Sequence, residues 1–156
     1  MEHRFDLVSV GEPLVGLYPI EGEAEITRIV YGGDTSNVAL AGARLGLRSA
    51  FAGSIGDDPW GFGFTRLWAE RQVDTSLVTT DRDRFTGMYV ISFADGEHRF
   101  AYYRRGSAAS AYTPTPEMRN AIASSRVVHV SGISQAISVH MTDLLFSMLE
   151  IGRASC

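Results

Sequence analysis

The chain has 156 residues, 45% of them hydrophobic and 21% charged, which is the make-up of one globular domain with a core of its own rather than of a disordered tail. Its net charge of −4 and its scattered arginines argue against a nucleic-acid binder. The single cysteine, Cys156, excludes an internal disulfide framework and a multi-cysteine metal site. With no signal-peptide pattern and no long apolar run, the composition points to a soluble protein of the reducing cytoplasm.

Residues 5–10 form a short apolar run ending at Gly11, a strand signal. Residues 14–18 and 25–30 mix apolar and polar side chains around the turn-like Glu21-Gly22-Glu23, as half-buried strands do. Gly32-Gly33-Asp34 breaks this pattern. Asp34, Thr35 or Ser36 is expected to cap a helix carrying Val38, Ala41 and Leu45, with Gly46 following at the position that tolerates a positive φ. Residues 48–55 read as a buried strand. Asp58 then caps a helix with Pro59 at its first position, running to about Glu70.

A short strand follows at 77–80. Residues 88–94 and 99–103 flank Asp95-Gly96, a hairpin signal. Thr115-Pro116 opens another helix, 127–130 is a strand running into Ser131-Gly132, and 141–150 has helical periodicity. Strands alternating with helices predict an α/β domain with a largely parallel sheet. The two early strands and the later hairpin break the alternation and predict a small separate sheet. The chain ends in Ile151-Gly152-Arg153-Ala154-Ser155-Cys156 where a further strand is expected, which favours truncation over a natural capping tail.

Gly32-Gly33-Asp34-Thr35-Ser36-Asn37 carries the first chemical signal. Paired glycines ahead of a helix allow close approach of backbone and ligand, and Asn37 offers both donors and acceptors to a hydroxyl-rich molecule. A tight turn with an N-cap explains the same hexapeptide. The wider spacing weighs against that reading, because Asn37, Ala39 and Gly46 follow, and then Gly53-Ser54-Ile55-Gly56-Asp57-Asp58-Pro59-Trp60-Gly61. This run is similar to the N-terminal signature of the ribokinase-like, phosphofructokinase-B-type carbohydrate kinases, with Thr35 where a small residue or proline is common.

Within that family the chain most resembles 2-keto-3-deoxygluconate kinases. The resemblance rests on Gly11-Glu12-Pro13-Leu14, Thr86-Gly87-Met88-Tyr89, Tyr102-Tyr103-Arg104-Arg105-Gly106-Ser107-Ala108-Ala109-Ser110 and Ser131-Gly132-Ile133, and extends from Phe5 to Glu150. It implies a ribokinase-like parallel-sheet sandwich, cut after its N-terminal half, with lid segments at about 12–31 and 86–105. It implies a sugar pocket lined by Gly33 and Asn37 beside Gly32, with Tyr89, Tyr102 and Arg104 reaching down from the lid; Glu12 reads either as holding a sugar hydroxyl in that pocket or as a strand-end polar residue, the pocket being favoured. Arg104 is the candidate partner of a sugar carboxylate, since guanidinium matches carboxylate bidentately. Absent the resemblance, the Tyr-Tyr-Arg-Arg run also fits a strand with arginines in water.

By resemblance the reaction is ATP-dependent phosphorylation of the sugar acid with Mg2+, a fructokinase or another sugar kinase of the family being the alternative. Lids of the family often meet across a two-fold interface, so a homodimer is expected. The nucleotide site of the family, with its Gly-Ala-Gly-Asp motif and catalytic Asp, has no counterpart run in this sequence. The chain is therefore expected to hold no catalytic residue and to be inactive alone, or to act as a non-catalytic sugar-binding or dimerising fragment. Asp57 and Asp58 fit helix capping better than metal binding. His3, His98, His129 and His140 lack metal-ligand spacing, and His129, Trp60 and Trp68 read as packing residues.

Overall fold

The structure, a computed structural model, describes residues 3–20, 23–94 and 97–154. Two four-stranded sheets organise them. In the first, β1 (Leu7–Val10) lies between β4 (Ser49–Gly56) and β8 (Val127–His129), and β5 (Asp74–Asp81) flanks β4, giving the order β5-β4-β1-β8. All three pairings are parallel, with Val8 level with Ala50 on one side and Val128 on the other. Parallel neighbours need crossovers, and helices supply them. These are α1 (Asp34–Arg44), α2 (Pro59–Glu70) and α3 (Pro116–Ala123), followed after β8 by α4 (Gly132–Gln135) and α5 (Val139–Ala154).

The second sheet has the order β3-β2-β6-β7, from β2 (Leu14–Ile20), β3 (Glu23–Gly32), β6 (Met88–Ala94) and β7 (Glu97–Tyr103). β2 and β3 pair antiparallel, as do β6 and β7, and β2 runs parallel to β6. This is the small sheet that broke the alternation. Asp95-Gly96 and Glu21-Gly22 lie outside the described residues, while the strands on either side of each pair as hairpins do.

Alternation along β1 sends Val8 and Val10 to one face and Ser9 to the other. The first face meets Tyr112, Ile122, Met141, Leu145 and Met148, so α3 and α5 cover it. Tyr112 is fully buried and its Oη donates to the Leu77 carbonyl at 2.8 Å. The opposite face carries Phe51, Ile55, Phe64, Trp68 and Val15, which ties α2 and the root of the second sheet into one cluster. Trp68 stacks on Phe51 at 4.6 Å between ring centroids, and its Nε1 donates to Ser36 Oγ at 3.0 Å. Among the described residues no helix is long and apolar enough to cross a membrane.

The local signals hold with one exception. Asp58 caps α2, accepting from Gly61 N at 2.8 Å, and Thr115 caps α3. After α1, Leu47 N donates to Gly42 O and Gly46 N to Ala43 O, a Schellman ending that needs the positive φ of Gly46, here 83°. The exception is the start of α1. Its N-cap is Gly33, with no side-chain cap; Asp34, Thr35 and Ser36 lie inside the helix, Thr35 and Ser36 buried against the body. Ser36 is not a cap because its hydroxyl accepts from Trp68 Nε1 inside the body, and Thr35 is buried beside it. Strand β5 is longer than expected, from Asp74, and a 3-10 turn at Ala108–Ala111 was not signalled by periodicity.

Trp68→Ala removes the largest side chain joining α2, β4 and α1, and is expected to destabilise the fold by about 3–5 kcal/mol in a urea melt. A loss below about 1 kcal/mol would contradict the packing described, given the usual cost of emptying a buried aromatic site.

Candidate sugar-binding site

The site begins where β1 stops. Parallel strands present their carboxyl ends to a common crevice, the usual place for a ligand in open α/β sheets. The chain leaves β1 through Gly11 and Glu12, enters β2, returns along β3 and turns at Gly32-Gly33 into α1. Gly33 has φ 92°, and a Cβ there would stand 2.6 Å from the Glu12 carbonyl oxygen and 2.9 Å from Leu14 N. Only glycine fits, on conformation and on space alike. Asn37, on the first turn of α1, is exposed, and its side chain lies beside Gly32, with both amide atoms 3.9 Å from where a Cβ would be. Gly32, Gly33 and Asn37 are thus brought together at the crevice.

The second sheet carries an aromatic face. Tyr89 and Tyr102 are register partners on β6 and β7, 6.0 Å apart between ring centroids. Phe100 and Tyr18 complete the aromatic face, the Tyr18 and Tyr89 hydroxyls meeting at 2.9 Å. Gly16 leaves room for this face, since a Cβ there would meet the Tyr89 ring at 2.6 Å. Partial burial, reinforced by Tyr18, pushes the Tyr89 phenol up to about 12, so it stays neutral and able to donate. Tyr102 is 57% exposed and free to meet a ligand.

Arg104 follows β7, two residues beyond Tyr102. Its Nε donates to Glu12 Oε2 at 2.7 Å, its Nη2 lies 2.7 Å from the same oxygen, and Nη2 donates to the Ile133 carbonyl at 3.1 Å. The other Glu12 oxygen accepts from Ser107 Oγ at 2.5 Å. Glu12 was expected to hold a sugar hydroxyl. In the structure it is 1% exposed with both oxygens engaged by protein groups, as a buried carboxylate requires. Gly87 makes the space, as a Cβ there would come 2.5 Å from Oε1. Burial pushes the Glu12 carboxyl above its ordinary value by more than Arg104 and Ser107 pull it back, and Asp34 adds a further push.

Several participants were not legible as site residues. Ser107 was seen only as part of a run. The Ile133 carbonyl comes from a turn after β8 that the chain alone does not link to Arg104. That turn docks on Gly11, where a Cβ would meet Ser134 Oγ and Thr35 Oγ1. Tyr18 could have been found from its alternation with Gly16. Asp58 does more than cap α2: its Oδ2 accepts from Thr86 N at 2.7 Å and its Oδ1 from Thr86 Oγ1 at 2.9 Å, fastening the start of β6 to the body. Asp57 shares in none of this. His129 is half-buried, its Nδ1 2.9 Å from Ser9 Oγ. Since that hydroxyl already donates to the Thr35 carbonyl, Nδ1 carries the proton. A hollow of about 610 Å³ lies elsewhere, between α1 and α2, lined by Leu40, Arg44, Leu67 and Arg71. Both helices end there, and Glu70 lines it beside the two arginines.

Arg104→Met leaves Glu12 buried and uncompensated, and is expected to cost roughly 3 kcal/mol near neutral pH. Removing the guanidinium raises the Glu12 carboxyl further, so folding then takes up a proton and the deficit shrinks as pH falls toward 5. Urea melts at pH 5 and pH 8 check this; an equal deficit at both values would contradict a charge-compensating role.

Comparison with known proteins accords with this geometry. The model of the pfkB family carbohydrate kinase matches residues 5–154. The chain is 32% identical over 153 residues to a 2-dehydro-3-deoxygluconokinase of Bacillus subtilis (strain 168), covering 94% of this chain and 47% of the relative. It is 32% identical over 134 residues to a probable fructokinase-2 of Arabidopsis thaliana, covering 82% of this chain and 41% of the relative. A crystal structure of a PfkB protein from Polaromonas sp. JS666 superposes with a TM-score of 0.84 at 28% identity, over 97% of this chain and 53% of that one. The chain spans about half the length of the curated relatives it matches. On the match across residues 5–154 and the shared fold, the chain belongs to the pfkB family of carbohydrate kinases.

Proposed function

We propose that this chain forms the sugar-binding side and lid of an ATP-dependent kinase for a sugar acid, 2-keto-3-deoxygluconate. The observation that supports it is the placement of Arg104, a cation, two residues beyond Tyr102 at the mouth of a crevice that also holds Gly32, Gly33 and Asn37. Tyrosine rings offer flat apolar faces to the C–H side of a sugar, Asn37 offers donors and acceptors to its hydroxyls, and a guanidinium suits its carboxylate. Fructose is the second candidate. It is favoured by the pairing of Arg104 with Glu12, which leaves less positive charge for a carboxylate. Relatives named for each sugar match about equally well.

ATP would supply the phosphoryl group, and magnesium would shield its phosphates. Among the described residues no group of three or more His, Cys, Asp or Glu side chains converges as metal ligands. The residues here bind, orient and cover the acceptor sugar, and phosphoryl transfer by this chain alone is not expected. A cytoplasmic location accords with the single cysteine. A homodimer through the second sheet is proposed from its exposed Phe93 and Phe100, which share one face. Sizing chromatography is expected to give twice the chain mass, and a Phe93→Ser/Phe100→Ser variant the chain mass.

Calorimetric titration with 2-keto-3-deoxygluconate, beside Arg104→Ala, tests the acceptor site. Binding that weakens about tenfold or more in Arg104→Ala is expected, the scale of a lost charged hydrogen bond. Binding of fructose alone would shift the assignment to the neutral sugar. Binding of neither by a chain that melts cooperatively would set the proposal aside.

A further inference from the structure

Arg104 has five N–H donors in a fixed planar fork. The Nε–H and the Nη2 group face Glu12 Oε2, and Nη2 also serves the Ile133 carbonyl. The Nε–Nη2 edge, one of the two that could grip a carboxylate with paired bonds, is therefore spent inside the protein. The Nη1 group is the remaining donor pair, on a side chain that is 20% exposed. Charge follows the same division. Glu12 balances Arg104, and Asp34 lies near enough to act electrostatically on Glu12, so the group is not a free cation. Ser107 fixes the second Glu12 oxygen, and Gly87 gives the carboxylate its place.

We propose that Glu12 is a positioning residue that sets acceptor specificity: by holding Arg104 along its Nε–Nη2 edge it makes the arginine a one-sided donor, so the crevice recognises an acceptor by hydrogen-bond geometry at Nη1 rather than by net charge. This rests on the proposed sugar site. A single carboxylate or keto oxygen of the acceptor meets Nη1 end-on, and a hydroxyl of a neutral ketose does so nearly as well. The wild-type chain then separates an acidic from a neutral acceptor only weakly, and the separation is under the control of a residue that touches neither.

The test titrates 2-keto-3-deoxygluconate and fructose into the wild-type chain, Glu12→Gln and Glu12→Gln/Arg104→Met. Gln keeps the shape and an acceptor for Arg104 but removes the balancing charge. The affinity ratio of acid to fructose is expected to rise about tenfold in Glu12→Gln and to lose that rise in the double variant, whereas a purely structural Glu12 would weaken both sugars alike. An unchanged ratio overturns the proposal. A ligand-free readout runs beside it: NMR exchange of the Arg104 Nε–H with water, expected to be at least tenfold faster in Glu12→Gln than in the wild type. Equal exchange rates overturn the proposal too. If the wild type binds neither sugar, the proposed acceptor site fails, and Nε–H exchange alone decides whether Glu12 holds Arg104. Should Glu12→Gln not fold, Glu12→Asp keeps the charge but draws the carboxylate back by one methylene, and is read by the same exchange measurement with the same expected acceleration.

Discussion

A carboxylate buried at the end of the central strand sets the terms for everything around it. Glu12 sits where β1 delivers the chain to the crevice, and at 1% exposure it cannot keep its charge without partners. Arg104 supplies them from the end of the second sheet and Ser107 from the turn beyond it. The Ile133 carbonyl, from the segment after β8, completes the set by taking the arginine's remaining Nη2 proton. Three stretches far apart in sequence are thereby fastened at one point. Loss of the arginine is not equivalent to loss of a surface contact, because the carboxylate stays behind.

The rest of the architecture aims the crevice. The parallel sheet brings the ends of β1, β4 and β8 to one rim. The cluster of Phe51, Phe64 and Trp68 seats the second sheet on the body through Val15, Leu17, Tyr31 and Met88. Asp58 fastens that sheet at Thr86, just as Glu12 fastens it at Arg104. The hairpin of β6 and β7 is thus tied to the body at both of its inner ends, and its aromatic face can cover a ligand from a fixed root.

Much of this was legible in the residues. Asp58-Pro59 and Thr115-Pro116 named two helix starts, Gly46 a helix end, and the two early strands with the Asp95-Gly96 hairpin, breaking the strand–helix alternation, the existence of a separate sheet. Gly32-Gly33 and Asn37 marked the crevice because their conformational and hydrogen-bonding needs are local. The start of α1 misled, since Asp34, Thr35 and Ser36 all suit a cap by themselves, and only tertiary packing shows Thr35 and Ser36 buried and the Ser36 hydroxyl taken by Trp68. The role of Glu12 was out of reach for the same reason. A glutamate after a strand looks like a ligand-facing group until its partners, 92 and 95 positions away, are known. Long-range pairing of this kind leaves no periodic trace along the chain.

The most direct measurement is a backbone and arginine side-chain NMR titration of the chain with 2-keto-3-deoxygluconate and, separately, with fructose. The account predicts that shifts induced by at least one of the two gather at Gly32, Gly33, Asn37, Tyr89, Tyr102 and the Arg104 Nε–H. Shifts that gather instead at Arg44, Leu67 and Arg71, in the hollow between α1 and α2, or that fail to appear with either sugar in a folded chain, would contradict it.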